Sequence, residues 1–160
     1  SPLSTVVEKS VSLILLNAPV KLSYIYKSIG SSKFSSATKE ISIDYFEERG
    51  LNDMDYDFTL YVVGNNLLNL KRPKEALAYF EKAISMGERY GFYNNLSDIY
   101  ISMIDLYTDL NEYESAEIAG EKAIKYANLI KNDFLLMRSL LSIGRFCLCL
   151  YTCHVSSFAI

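Results

Sequence analysis

The sequence has little of what catalysis or nucleic-acid binding requires. Its 160 residues include one histidine and no tryptophan, and its seven glycines form no phosphate-binding loop. Lysine and arginine number 16 against 19 acidic residues, for a net charge of -3, so the positive surface typical of nucleic-acid-binding proteins is missing. A single histidine also leaves few ways to build a Ser-His-Asp or Cys-His set. We therefore predict no enzyme activity, no cofactor and no direct nucleic-acid partner.

Cysteine is scarce, and its three copies lie close together near the end of the sequence. Cys147 and Cys149 would lie about 200° apart around a helix, so they cannot converge on one metal ion with Cys153 and His154. We predict buried free thiols and no metal site. An odd, clustered set cannot form a disulfide framework and favours a reducing compartment. The prediction is a cytoplasmic protein, with a periplasmic sensor segment as the alternative.

Long apolar runs are also missing. Val11–Leu16 is too short to cross a membrane, and the apolar stretch 135–160 is interrupted by Arg138 and Arg145. We therefore expect a soluble segment without a membrane partner.

Alternating carboxylates at Asp53, Asp55 and Asp57 resemble the start of a calcium loop. Phe58 and Gly64 stand where such a loop needs its turn glycine and its closing glutamate. The pattern is instead typical of an acidic helix N-terminus, where carboxylates complement the helix dipole.

What the sequence does contain is an internal repeat of 40 residues. The tetrapeptide EKAI occupies residues 81–84 and recurs at residues 121–124. The same offset aligns residues of the kind that pack, as expected of a true repeat. Aligned sets are Ala76 with Ala116, Ala83 with Ala123, and Leu60, Val63, Gly64 and Leu67 with Tyr100, Met103, Ile104 and Tyr107, then with Leu140, Ile143, Gly144 and Cys147.

Each period has the pattern of a helical hairpin. Apolar residues step by three and four, which predicts one stripe of an α-helix. Short polar breaks at residues 71–73 and 111–112 separate successive stripes, and Pro73 suits the first turn of a helix.

These positions resemble the tetratricopeptide repeat, in which the first helix carries Leu-Gly at fixed spacing and the second carries Ala and Phe. The match runs through Leu60-x-x-Val63-Gly64-x-x-Leu67 and Ala76-x-x-x-Phe80. It implies an all-α, right-handed superhelical solenoid of antiparallel helix pairs, with about eight helices. We expect one domain over residues 1–160, with repeats at roughly 18–50, 52–91, 92–131 and, incomplete, 132–160. The sequence begins at Ser1, so we also expect a fragment of a longer protein.

The period of 40 exceeds the family's usual 34. Such versions resemble those of bacterial peptide-sensing regulators and of adaptor proteins with Leu-Gly-Asn motifs. The resemblance implies a non-catalytic segment that binds a protein or peptide, as the sensory or scaffold part of a larger protein in signalling or transcription regulation. The alternative is a purely structural spacer or self-association module.

The concave face of such a solenoid is lined by first-helix residues that do not pack. The resemblance places the ligand-binding residues there, with the alternative that Asp105 and Arg145 merely bond each other. We also predict a homo-oligomer formed through the incomplete last repeat, because Leu141, Phe146, Leu148 or Leu150 would be partly uncovered. The predicted binding residues are Tyr61, Asn65, Asn69, Asp98, Asp105, Asp109, Arg138 and Arg145.

Overall fold

The computed structural model describes residues 43–44 and 46–158, and the secondary structure in this part is entirely α-helical, as predicted. Residues 43–44 and 46–48 belong to the end of one helix. Most of the expected repeat 18–50 lies outside the described residues. Five complete helices follow, namely α1 (Met54–Asn69), α2 (Pro73–Tyr90), α3 (Tyr93–Asp109), α4 (Tyr113–Leu129) and α5 (Asp133–Phe158).

The helices stack as pairs in two rows. Each helix packs against the next one in the sequence, and α3 additionally contacts both α1 and α5. First helices therefore touch first helices of neighbouring repeats, so α1, α3 and α5 form an inner row while α2 and α4 lie outside. This is the packing of a tetratricopeptide-type solenoid, and it confirms the predicted fold class.

The core of each pair is a small residue facing a large one. A Cβ atom added at Gly64 would lie 2.7 Å from Cδ1 of the Phe80 ring, so α1 and α2 approach closely only because Gly64 has no side chain. One repeat later the sizes are exchanged: Ile104 occupies the position of Gly64, and Gly120 occupies that of Phe80. A Cβ at Gly120 would lie 2.9 Å from Cγ1 of Ile143 and 3.8 Å from Cδ1 of Ile104. The exchange explains why the second repeat departs from the family pattern.

Chain reversals between helices are built in the same way each time. A residue with positive φ stands at Gly50, Lys71, Gly91, Asn111 and Lys131, so the last four are spaced by 20. The next residue donates its N–H to a carbonyl five positions back, the pattern of a Schellman C-cap. These bonds are Leu51 to Phe46 (3.0 Å), Arg72 to Leu67 (2.9 Å), Phe92 to Gly87 (2.9 Å), Glu112 to Tyr107 (2.8 Å) and Asn132 to Ala127 (3.0 Å).

The acidic residues 53–57 form the N-terminus of helix α1, as predicted from their alternating carboxylates. The side chain of Asp53 accepts a hydrogen bond from the backbone N–H of Tyr56 at 3.0 Å and caps the helix. Asp55 and Asp57 follow in the first turn.

Helix α5 departs from the 20-residue spacing. Its 26 residues continue through Phe158, so the expectation of a separate partner helix starting at residue 155 was wrong. Leu141 and Leu148 are exposed, as predicted for an incomplete repeat, whereas Phe146 is buried and Leu150 partly buried. Within the described residues, one helical stretch, Asp133–Thr152, is long and apolar enough to cross a membrane, which by itself is weak evidence for a span.

The contact between Gly64 and Phe80 predicts the effect of adding a methyl group. Replacing Gly64 with Ala should lower the free energy of unfolding by about 1–3 kcal/mol, because the Cβ atom overlaps the ring. The matched control is Gly144→Ala, two repeats along, where an added Cβ meets nothing within 4 Å. That change should raise stability by up to about 1 kcal/mol through helix propensity. Urea denaturation of both variants at low protein concentration measures the difference, and equal effects would contradict the described packing.

The turns make a second prediction. Lys131 has φ of 53°, a conformation that costs a non-glycine residue about 1 kcal/mol, so Lys131→Gly should raise the melting temperature by a few degrees. Gly91, with φ of 79°, occupies the same place one period earlier, and Gly91→Ala should lower it. Calorimetry on the two variants checks the prediction. A loss of stability in Lys131→Gly would show that the turn is built differently.

Candidate functional site

The predicted binding residues lie on the inner row of helices. Tyr61, Asn65 and Asn69 are spaced by four on α1, which places them on one face of that helix. The three aspartates come from α3 and the two arginines from α5. Tyr61, Asn65, Asp98, Asp105 and Arg138 are partly buried, whereas Asn69, Asp109 and Arg145 are exposed. We call this set the concave-face residues.

Two ion pairs connect α3 to α5 across this face. Arg138 donates to Asp98, and Arg145 donates to Asp105 at 3.2 Å. Each pair joins residues exactly one 40-residue period apart. The alternative considered from the sequence, in which Asp105 and Arg145 bond each other, is therefore present in the structure.

A first cluster surrounds Tyr61 near the middle of α1. Burial raises the pKa of the Tyr61 hydroxyl, and the negative charge of Asp98 raises that pKa further. Hydrogen bonds with Asn65 and Ser102, together with the charge of Arg138, partly offset the increase. Tyr61, Asn65, Asp98 and Arg138 thus act on one another within a single cluster.

A second cluster lies nearer the C-terminal ends of the inner helices. Burial raises the pKa of Asp105, and the like charge of Asp109 adds to this effect, while Arg145 and Lys71 oppose it. Lys71 pairs with Asp109 at 3.0 Å. Sequence reasoning missed Lys71, although its position in a polar break between two helices marks it as exposed. Asn69, the last residue of α1, is not placed in either cluster by any described contact.

The two clusters present different chemistry on each helix. Helix α1 offers a phenol and amides, α3 offers carboxylates, and α5 offers guanidinium groups. An amide both donates and accepts, as a peptide backbone requires, whereas the charged groups suit the ends and side chains of a peptide. The arrangement can therefore bind an extended, polar chain that crosses the inner helices.

Asp57, which sequence reasoning had placed in an acidic helix N-terminus, is a buried carboxylate. Its side chain is fully buried, Oδ2 accepts a hydrogen bond from Asn95 of α3 at 2.8 Å, and Oδ1 has no hydrogen-bond partner. Loss of water raises its pKa to about 6, an effect that the Asn95 hydrogen bond only partly offsets. The positive end of the α1 dipole lies beside it and eases the cost of this burial.

A second concavity lies on the other side of the solenoid, between α2 and α4 with α3 as its floor. This outer groove has a volume of about 510 Å³. Tyr100 on its floor lies under the ammonium group of Lys122, 5.1 Å from the ring centroid, and stacks on Tyr126. The 40-residue alignment had marked Tyr100 and Tyr107 only as packing positions, so nothing in the sequence indicated a groove beside them.

Among the described residues, no group of three His, Cys, Asp or Glu side chains could hold a metal ion. Cys147 is exposed and Cys149 partly buried, so the expectation of buried thiols was wrong for Cys147. The side chains of Cys153 and His154 lie outside the described part of the chain.

One comparison with known proteins finds a family match over part of the chain. The family model for the tetratricopeptide repeat matches residues 59–86, which span most of α1 and α2 and include the contact between Gly64 and Phe80. No curated protein and no solved structure matches the chain significantly.

Asp57 predicts a dependence of stability on pH. Its pKa is about 6 in the folded protein and about 3.9 when unfolded, so the folded state binds the extra proton. The contribution to stability is complete below pH 4 and is lost as the pH rises to 6, by about 2–3 kcal/mol. Asp57→Asn should remove this decrease, which urea denaturation at pH 4, 5, 6 and 7 would reveal. An unchanged pH profile in the variant would contradict the assignment.

Proposed function

We propose that this chain binds an extended peptide segment along the concave-face residues, because residues 59–86 match the tetratricopeptide repeat and such repeats generally mediate protein–protein interaction. The ligand crosses α1, α3 and α5 in turn. The observation that carries this proposal is the alignment of amides, carboxylates and guanidinium groups on successive inner helices.

The more exposed of the two ion pairs between α3 and α5, Arg145 with Asp105, does not prevent such binding. Asp105 and Arg145 keep 45% and 70% of their side chains exposed, and exposed pairs of this kind contribute only about 0–1 kcal/mol to stability. A ligand that supplies its own cation to Asp105 and its own carboxylate to Arg145 replaces the pair at little cost. The preferred ligand therefore carries both a positive and a negative group. A peptide with only acidic groups would place its carboxylates near those of α3, and the like charges would repel.

Orientation follows from the same arrangement. Positive ligand groups lie toward α3, a negative group lies toward α5, and the ligand backbone bonds Asn65 and Asn69 on α1. This assignment supports the broader proposal that the chain is the peptide-sensing or scaffold part of a larger regulatory protein, in the cytoplasm or as a periplasmic sensor segment.

A structural role as a spacer or self-association module is the second candidate. The observation that favours it is the row of exposed apolar residues on α5, of which Leu141 is 60% and Leu148 64% exposed. In that case the concave ion pairs would stabilise the stack and bind nothing.

The test is an array of extended peptides that vary the order of basic and acidic residues, followed by calorimetry on the strongest binder. The double variant Asn65→Ala, Asn69→Ala should weaken binding tenfold or more, because each lost hydrogen bond contributes about 1 kcal/mol. Its melting temperature should fall by a few degrees at most, since Asn69 is exposed and the partly buried Asn65 loses one hydrogen bond, with Tyr61, that contributes about 1 kcal/mol.

The matched control is Asn94→Ala with Asn128→Ala, which removes two exposed amides elsewhere on α3 and α4. The control should keep full affinity. Full affinity in the Asn65 and Asn69 variant would mean that the ligand uses another surface, and a uniformly negative array would favour the structural role.

A further inference from the structure

One face of α5 forms a continuous apolar stripe that nothing among the described residues covers. Met137, Leu140, Leu141 and Leu148 are between 49% and 64% exposed, which is unusual for side chains of this size. They line a shallow depression of about 690 Å³. The residues of this open stripe are Asp133, Leu136, Met137, Leu140, Leu141, Gly144, Arg145 and Leu148.

The open stripe is symmetric about the midpoint between Leu140 and Leu141. Reversing the helix direction around that point exchanges each member with another member of the same set. The exchanged pairs are Leu140 with Leu141, Met137 with Gly144, Leu136 with Arg145, and Asp133 with Leu148. Any helix face spaced by three and four residues has such a midpoint, so an antiparallel pair of α5 helices can bring the same patch of both copies together, as a two-fold symmetric dimer requires.

We propose that the open stripe is the interface for a second copy of this chain, with the two α5 helices antiparallel and the two-fold axis passing between Leu140 and Leu141. This inference does not rest on the proposed ligand of the concave face, although the two surfaces share Arg145, so a ligand and a second copy would compete for its guanidinium group. It commits to a second copy because two further features, size and charge, match across that axis.

The size match is at Gly144. An added Cβ there meets nothing within 4 Å, so a depression lies open above the backbone. In the antiparallel arrangement the flexible side chain of Met137 from the second copy lies opposite Gly144 and fills it. Gly64 occupies the corresponding position two periods earlier, and there the side chain of Phe80 fills the space above the glycine.

The charge match is at the two ends of the stripe. Asp133 lies near the start of the stripe and Arg145 near its end. In the antiparallel dimer, Arg145 of the second copy faces Leu136, and Asp133 precedes Leu136 by about one helical turn. A long guanidinium side chain reaches across one turn, so two ion pairs form by symmetry. Arg145 is 70% exposed beside Asp105, which leaves donors for this second carboxylate. In a parallel pairing the like charges would face each other instead.

The interface is small. Covering this stripe on both copies buries roughly 1,000 Å² in total, at the lower end of specific interfaces. We therefore expect a dimer that forms at concentrations on the order of 10 µM rather than an obligate one.

Single cysteines test the register. In a background with Cys147, Cys149 and Cys153 replaced by Ser, Leu140→Cys or Leu141→Cys should form disulfide-linked dimers under mild oxidation. Leu148→Cys should not form such dimers. In the antiparallel pair, the two residues 148 of the two copies lie about 22 Å apart along the helix axis, far beyond the reach of a disulfide. All three positions are exposed, so the variants should fold.

Light scattering across concentration supplies the independent measurement. The unmodified chain should pass from monomer to dimer, Arg145→Glu should weaken dimerisation at least fivefold, and adding Asp133→Lys should restore it. Equal cross-linking at Leu148 would show parallel pairing and overturn the proposal. A strict monomer at 200 µM, or association only in the presence of lipid vesicles, would overturn it as well, in favour of another chain segment or a membrane as the occupant.

Discussion

Close contact between one small and one large residue determines how near the helices of each pair can lie. At Gly64 the ring of Phe80 occupies the space of an absent side chain, and at Gly120 the side chain of Ile143 does the same. In the second pair the sizes are exchanged, since Ile104 takes the position of Gly64 and Gly120 that of Phe80. Between repeats, α3 contacts both α1 and α5, and these contacts form the inner row on which the concave-face residues lie.

The ion pairs of the inner row connect stability and binding. Asp98 with Arg138 and Asp105 with Arg145 hold neighbouring repeats in register, since each pair spans exactly one period. The same groups are the strongest charges that a ligand would meet. A partner of the proposed kind that replaced these pairs would loosen one contact between α3 and α5 while adding its own.

Much of the fold could be predicted from the sequence because a repeat reveals which positions pack. The period of 40, the helical hairpins and the contact of Gly64 with the second helix all follow from aligned apolar residues. Burial of Asp57 could not be predicted, because its carboxylate belongs to an acidic run typical of exposed helix starts, and only the approach of α3 covers it. The eight candidate residues were chosen by family position, and the structure brings all but Asn69 into two clusters. That Asp98 pairs with Arg138 depends on the distance between stacked helices, which local patterns do not encode.

The uniform turns have a consequence for how such a chain tolerates change. Glycine, lysine and asparagine all occupy the same left-handed position, so the identity of that residue can vary at a cost of about 1 kcal/mol. Its distance from the previous turn cannot vary as freely, since one inserted residue would rotate everything beyond it by about 100° around the helix. Variants of this chain should therefore tolerate changes in residue type at the turns better than changes in the number of residues between turns. Insertions should be tolerated mainly in α5, where the turn expected near Tyr151 is missing.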